Sequence, residues 1–383
     1  MKILHLCISA FFIDNYSYQE NLLAKYHVKQ GHEVTVIASP FTYTAQGIGM
    51  YLKEASSYFD PNGFKVVRLL YKKPFKLNRL FRHYDGLYKS IKCVEPDLIF
   101  LHGVSFGDTV VIRDYIKNHP HVILYADNHA DYINSAKNWL SKNILHRIFW
   151  RRSAKLLEPY LKKCWGVTPL RCKFLKEMYH IKQELIEFLP MGVDDDSIPN
   201  DREWVKCNVR KELNVKDDDM LIFTGGKIDS LKNIHVLLEA LTDMRDQKIH
   251  LVICGTLTPQ MQWLKAIIDS DIRVHYLGWC SAERVMDCMI ASDISFFPGT
   301  HSTLWEQSVG IGIPIICKQW EGMDHVNING NCLFVKGEDV EELKYVINSI
   351  KDTAKLDKLK SLAIEASSEF LYSNISKKAI GCF

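Results

Sequence analysis

The 383-residue chain lacks any run of about 18 apolar residues, so no segment is long enough to cross a bilayer as a helix. It also lacks a Cys-x-x-Cys pair. Its 11 cysteines, an odd number spread from Cys7 to Cys382, suggest neither a disulfide framework nor a zinc ribbon, and a reducing cytoplasm fits them best. No Gly-x-Gly-x-x-Gly follows a strand-like run, which disfavours a dinucleotide-dependent oxidoreductase; the first such run, residues 2–9, continues into Ala10, Phe11, Phe12 and Ile13. Lys2 and the apolar residues after it imitate a secretory leader. His5 interrupts them, however, and no small-x-small site precedes the polar residues 14–20, so a buried first strand is expected there. At 47% hydrophobic residues the chain is not short of core-forming side chains, which excludes a wholly disordered protein.

At about 150 residues per domain this length suggests two domains or more. Charge divides the chain in the same way: residues 1–190 hold 27 Lys+Arg against 16 Asp+Glu, and the remainder 21 against 29. The first half is therefore basic and suited to an anionic partner, and the second is acidic. Short apolar runs at residues 2–9, 33–38, 65–70, 97–102, 122–126 and 164–167 alternate with helical periodicity, and so do runs at 220–224, 250–254, 273–277, 294–297, 314–317 and 332–335. Many are apolar on both faces, as strands of a doubly covered parallel sheet must be. Two α/β domains with doubly wound parallel sheets are expected, over residues 1–190 and 191–364, parted at Leu189-Pro190-Met191-Gly192. Residues 365–383 are helical with no strand left to connect, and are expected to cross back to the first domain.

In the second half, Phe223-Thr224-Gly225-Gly226-Lys227 ends a strand in two glycines that let the backbone approach a ligand. Lys227 and Lys232 sit in the loop that enters a helix expected over residues 233–241. Free N–H groups at a helix start and two ammonium groups suit a diphosphate.

Five motifs in order carry a resemblance from residue 188 onward. Phe188-Leu189-Pro190-Met191-Gly192-Val193-Asp194, the loop 226–233, Val274-His275-Tyr276-Leu277-Gly278-Trp279 followed by Ser281-Ala282-Glu283, Ala291-Ser292-Asp293-Ile294, and Trp305-Glu306 through Gly310-Ile311-Gly312-Ile313-Pro314 together resemble the donor half of the retaining nucleotide-sugar glycosyltransferases of family 4. That family has the GT-B fold, two Rossmann-like domains with a cleft between them. The resemblance implies that Gly226, Lys227 and Lys232 hold the donor diphosphate, with lysine at 227 where the family has arginine. It also implies that Trp279 lies near the nucleotide base and that Glu306, the second glutamate of a Glu-x7-Glu motif, accepts hydrogen bonds from the ribose. The first glutamate of that motif falls on Pro298. His301, Ser302 and Thr303 are the candidates to take over its contacts with sugar or phosphate.

The first half resembles the family more loosely. Ser17-Tyr18-Gln19-Glu20 and Gly31-His32-Glu33-Val34 occupy the places of its first helix and second strand without the family's glycine-rich loop, which makes Tyr18 and Gln19 acceptor-site candidates. Asp127-Asn128-His129-Ala130-Asp131 resembles a His-Asp segment that reaches the reacting centre, so His129 is the catalytic candidate beside Lys227 and Lys232, and Asp131 an acceptor contact. The triple-aspartate runs at 194–196 and 217–219 read as solvated loops, and neither a metal nor another cofactor is expected. Residues 71–89 interleave Lys72, Lys73, Lys76, Arg79, Arg82 and Lys89 with Phe75, Leu77, Leu80 and Phe81, and 146–152 repeat the pattern. A basic aromatic helix of that kind fits an anionic membrane surface on its inner face, whereas no nucleic-acid motif is present.

The resemblance thus implies a cytoplasmic, membrane-associated, metal-independent glycosyltransferase that moves a hexose, with retention, from a nucleotide diphosphate sugar to a saccharide or lipid-linked saccharide. UDP is the expected nucleotide, and surface-polysaccharide assembly such as lipopolysaccharide or capsule the expected setting. A subunit of the same fold that has lost turnover and a UDP-sugar epimerase remain the alternatives.

Overall fold

Every side chain of the stretch Ile3 to Cys7 is buried, so the first strand is covered on both faces by whatever packs against it. The computed structural model describes residues 1–44 and 48–381, and it divides into two units, Met1–Pro190 with the chain from Ile375 onward, and Met191–Asn374. The first unit contains β1 (Lys2–Cys7), β2 (Glu33–Ala38), β3 (Phe41–Tyr43), β4 (Gly49–Tyr51), β5 (Ser56–Phe59), β6 (Lys65–Arg68), β7 (Leu98–His102), β8 (Ile123–Asn128), β9 (Leu161–Gly166) and β10 (Ile186–Phe188). Eight of these form one sheet in the order β10-β9-β8-β7-β1-β2-β6-β5. All its pairings are parallel except that of the edge strand β5 with β6, and β3 and β4 make a separate antiparallel pair.

The second unit holds a six-stranded parallel sheet of β11 (Met220–Gly225), β12 (Ile249–Cys254), β13 (Val274–Gly278), β14 (Ile294–Phe297), β15 (Ile315–Lys318) and β16 (Cys332–Val335). Their order is β13-β12-β11-β14-β15-β16. Alternate residues of β11 enter opposite cores: Leu221 and Phe223 pack with Val309, Ile311 and Phe370, while Ile222 packs with Leu237, Leu241 and Leu343. That two-sided burial makes the sheet doubly wound, as its apolar runs imply. The chain winds from β11 outward to β13 and then returns to the other side of β11 as β14. Such a reversal opens a crevice beyond the carboxyl ends of β11 and β14.

Two local expectations need correction. Residues 71–89 do not form one helix: the helix Phe75–Phe81 ends in a left-handed Arg82, Tyr71 and Tyr84 bridge antiparallel, and a new helix, Leu87–Val94, begins after Gly86 at φ 69°. Pro74, which cannot donate a backbone hydrogen bond, heads the first helix, and Gly86 supplies a conformation that other residues resist. The stretch 365–383 is also not a single helix. Thr353–Ala366 runs into a tight turn at Ser367–Phe370 and then the helix Tyr372–Ala379, while Cys382 and Phe383 lie outside the described residues. Trp165 Nε1 donates to the Ala379 carbonyl at 3.2 Å.

Candidate functional site

Beyond the carboxyl ends of β11 and β12, a cavity of about 590 Å³ opens in the second unit. Gly226, Lys227, Trp279, Ser302 and Thr303, all expected donor-site residues, line it together with the segment Cys254 to Pro259. Glycine is required where its two walls meet. A Cβ on Gly255, whose φ is +148°, would stand 1.8 Å from the Gly226 carbonyl oxygen, so the two strand-end loops touch through bare backbone. Trp279 is 80% exposed, which leaves its ring face open to a planar partner.

Lys232 stands behind the cavity wall. Its Nζ donates to the Thr300 and His301 carbonyls at 2.7 and 2.9 Å, and Thr300 N donates to the Leu231 carbonyl at 2.9 Å. Burial pulls its ammonium down to about 8, only partly offset by Asp229. Asn233 Nδ2 extends this seam to the Pro298 and Gly337 carbonyls at 3.3 and 2.8 Å. Gly299 lies so close to it that an added Cβ would meet the Leu231 oxygen at 2.2 Å. Gly299→Ala is accordingly expected to pry loop 298–303 from loop 230–233 and to lower unfolding stability by about 1–3 kcal/mol, as overpacking does. Denaturant titration checks the stability, and an unchanged midpoint would mean that the seam yields easily.

At the start of the helix Leu304–Gly310, Glu306 is fully buried. His301 Nε2 and His325 Nε2 each lie 2.8 Å from its Oε1. Burial alone would push this carboxyl up, but the two imidazoles outweigh it and hold it well below the usual carboxylate range. Its Oε2 has no hydrogen-bond partner. The ligand-type atoms of His301, Glu306 and His325 lie within 4.8 Å of one another, the one such group among the described residues whose spacing could hold a metal ion. Glu306 therefore does not line the cavity; His301 stands next to it in the loop that does.

In the first unit, His129 follows the carboxyl end of β8 and its side chain is 31% exposed. Its Nε2 stands 3.6 Å from Asp127 Oδ2, close enough for charge attraction and too far for a hydrogen bond. Burial pulls the imidazole down, yet Asp127 and, more weakly, Glu20 prevail and raise it. Tyr18 is 47% exposed, whereas Gln19 is buried and neither its amide oxygen nor its nitrogen has a hydrogen-bond partner. Asp131 is engaged locally: its carboxylate accepts from Ile133 N, Asn134 N and Arg171 Nε at 2.8, 2.6 and 3.1 Å.

Residues 205–366 match the family model described as glycosyl transferases group 1. The chain carries a glycosyl transferases group 1 domain there. Its fold is that of solved GT-B glycosyltransferases over their whole length. HepE of Anabaena, solved in complex with UDP and glucose, is 17% identical, with a TM-score of 0.65 over 100% of this chain and 98% of that one. A glycosyltransferase from Rickettsia africae is 16% identical, with a TM-score of 0.68 over 99% and 96%. WaaG, a glycosyltransferase involved in lipopolysaccharide biosynthesis, is 15% identical, with a TM-score of 0.64 over 98% and 98%. No curated protein matches the chain in sequence.

Two parts of this glycosyltransferase's site escaped the sequence reading. The segment 254–259 had a signal, Gly255 directly after a strand, like Gly225 and Gly226 after theirs. His325 lies in a stretch with no periodicity, and nothing nearby marks it as a partner of Glu306.

Proposed function

We propose that this glycosyltransferase moves a hexose from a UDP-sugar, with retention at the anomeric carbon, to a saccharide or lipid-linked saccharide acceptor, without a metal. The observation that carries the donor assignment is the 590 Å³ cavity whose wall is glycine backbone at Gly226 and Gly255 with Lys227 beside them. Bare N–H groups and an ammonium suit a diphosphate, and the indole of Trp279 suits a base. HepE, which shares the fold, was solved with UDP. On this reading Lys227 and Lys232 stabilise the departing diphosphate, Ser302 and Thr303 contact phosphate or sugar, and Glu306 with His301 forms the ribose end. The first unit takes the acceptor through Tyr18, Gln19 and the Asp131 loop, and His129 hydrogen-bonds the sugar or the incoming hydroxyl. Positioning and charge stabilisation then supply most of the rate.

A thermal-shift screen with UDP, GDP, ADP and dTDP sugars tests the donor. A ligand at 100 times its dissociation constant should add about 2.7 kcal/mol of stability, and UDP-sugars are expected to give the largest rise. A larger rise with GDP- or ADP-sugars would overturn the base assignment. Nucleotide release that requires an acceptor separates transfer from epimerisation and from a subunit without turnover.

The acceptor side includes a membrane surface. Phe75, Leu77 and Leu80 on the helix Phe75–Phe81, and Leu140, Ile148 and Phe149 at the segment Ser141–Trp150, are exposed among lysines and arginines. No helix among the described residues is long and apolar enough to cross a membrane. The exposed apolar side chains among basic ones support peripheral docking with O-antigen-like or capsular lipid-linked acceptors. Changing Lys72, Lys73 and Lys76 to glutamate is expected to abolish binding to vesicles containing anionic lipid, and binding of the native protein should weaken with salt. Vesicle binding that survives either change would remove the membrane from the reading.

A further inference from the structure

Histidine is an unusual residue for a buried apolar strand, and the first unit has one in each of two adjacent strands, His5 within β1 and His102 at the end of β7. Leu4 and Leu6 of β1, with Ile99 and Leu101 of β7, turn to the main core of this unit. Alternation sends His5, His102 and, on β8, Asp127 to the other face, where the helix Gln19–Lys29 lays His27 against them. All four side chains are fully buried.

Their polar atoms form one continuous line. His27 Nε2 lies 3.0 Å from the Ser376 carbonyl oxygen, His27 Nδ1 lies 3.0 Å from His5 Nε2, His5 Nδ1 lies 2.9 Å from His102 Nε2, and His102 Nδ1 lies 2.8 Å from Asp127 Oδ2. A carbonyl only accepts. Nε2 of His27 must therefore carry hydrogen, and if that ring is neutral its Nδ1 accepts from His5. By the same step the Nε2 of His5 donates and its Nδ1 accepts from His102 Nε2. The line ends at a carboxylate, which when ionised also only accepts. Four hydrogen bonds need four hydrogens, and three neutral imidazoles supply three.

We propose that His27, His5 and His102 form a one-way hydrogen-bonded chain holding one hydrogen more than three neutral rings supply, and that this chain is a positioning device that keeps Asp127 anionic beside His129. Its link to catalysis rests on the reading of His129 given above. The extra hydrogen lies at the Asp127 end, on His102, because Asp127 is the only anion the line touches. The carboxylate's other oxygen accepts from Gly103 N at 2.9 Å, so two donors favour its ionised form. Directions of titration agree. Burial, with His27 and His102 as neighbours, drives His5 well down, and burial brings His27 down to about 4, so both stay neutral. Burial opposes ionisation of Asp127, but His102 and His129 prevail and hold it well below the usual range.

The remaining charged and titratable groups around the line are few. Glu20 on the helix Gln19–Lys29 and Arg171 on the helix Pro169–Tyr179 act on His129 with opposite sign. His32 faces His27. The thiol of Cys7 on β1 is pushed up by burial, then by Glu20 and Asp127 against Arg68, and that of Cys164 on β9 by burial and then Asp127, so both stay neutral. His102 is therefore the positioning cation, His5 and His27 fix its direction, and the Ser376 carbonyl fixes theirs.

Nitrogen NMR of the full chain labelled in histidine tests this without donor or acceptor. At neutral pH both ring nitrogens of His102 are expected to give protonated-type signals, while His5 and His27 each give one protonated nitrogen, Nε2, and one bare nitrogen, Nδ1. A bare nitrogen on His102, or a reversed tautomer on His5 or His27, overturns the chain. His5→Leu removes the acceptor of His102 Nε2–H, so His102 is expected to fall back to a neutral Nδ1–H donor. With one positive charge gone from beside Asp127, the titration midpoint of His129 should rise by about one pH unit. His5→Gln, whose amide can both donate and accept, should keep the native midpoint. An unmoved His129 in folded His5→Leu would make the chain structural only. Absence of turnover with the expected signals would instead refute the catalytic reading of His129 and leave the chain intact.

Discussion

Lys232→Ala is expected to lower turnover at saturating donor by roughly 10²-fold or more, because on the proposed reading its cation stabilises the departing phosphate as negative charge builds there. The same change is expected to loosen the site. Sequence alone argues that a second lysine in this loop is a strain relieved by an anion, so that its removal should cost little. The structure gives Lys232 a further task, since its Nζ donates to the Thr300 and His301 carbonyls. Hydrogen bonds to a charged group contribute about 1.5–3 kcal/mol each, so the alanine variant should unfold at lower denaturant as well. The pH dependence separates the two tasks. In the empty site the ammonium titrates at about 8 against an ordinary 10.5. Native stability should therefore rise between those values, where the unfolded chain still binds the proton that the folded one has released. A bound diphosphate favours the charged form, so above about pH 8 UDP binding must take up a proton and its affinity should fall, by as much as tenfold per pH unit. Lys232→Arg keeps its charge and should flatten that fall while losing turnover through altered geometry. Titration calorimetry in buffers of different ionisation heat reads the proton uptake. Affinity independent of pH from 7 to 10 in the native protein would place the diphosphate away from Lys232.

The fold was legible because its signal is local and repeated. β11 to β16 each follow from a four- to six-residue apolar run, and a run buried on both faces leaves only a parallel sheet with helices on each side as its setting. What escaped was short or depended on partners far along the chain. β5 and β10 are edge strands, half polar because one side meets water, and they lack the continuous apolar pattern of a central strand. The break in residues 71–89 turns on Gly86 and Pro74, which outweigh an amphipathic pattern that otherwise reads as helix. In the site, glycines after strands marked the cavity because close backbone approach has a residue signature. The buried polar network had none: His5 is visible in the sequence only as an interruption, and its partners are 22 and 97 residues away.

Glu306 joins such a network to the proposed ribose end, and its replacement should show both roles. Glu306→Ala would leave His301 and His325 without their shared acceptor in a fully buried place, and breaking a buried pair of this kind costs about 3–5 kcal/mol. Glu306→Gln keeps a carbonyl oxygen for one imidazole and should cost less. The carboxyl is held well below the ordinary value near 4.5, so its contribution is fully present above that pH and is lost gradually as pH falls from there toward the much lower folded-state value. The native protein should therefore be the more acid-labile of the two, and its advantage over Glu306→Gln should begin to shrink below about pH 4 and go on shrinking as the pH falls further. Stability alone does not reveal the ribose. Comparing UDP with 2′-deoxy-UDP does: a site built to hydrogen-bond a hydroxyl rejects the analogue that lacks it, because buried acceptors are left unpaired. If the unpartnered Oε2 of Glu306 serves a ribose hydroxyl, the native protein should prefer UDP strongly and Glu306→Gln should lose most of that preference. If the variant binds both nucleotides more weakly by an equal factor, Glu306 acts only by orienting His301 in the cavity loop, and the ribose is held by another group.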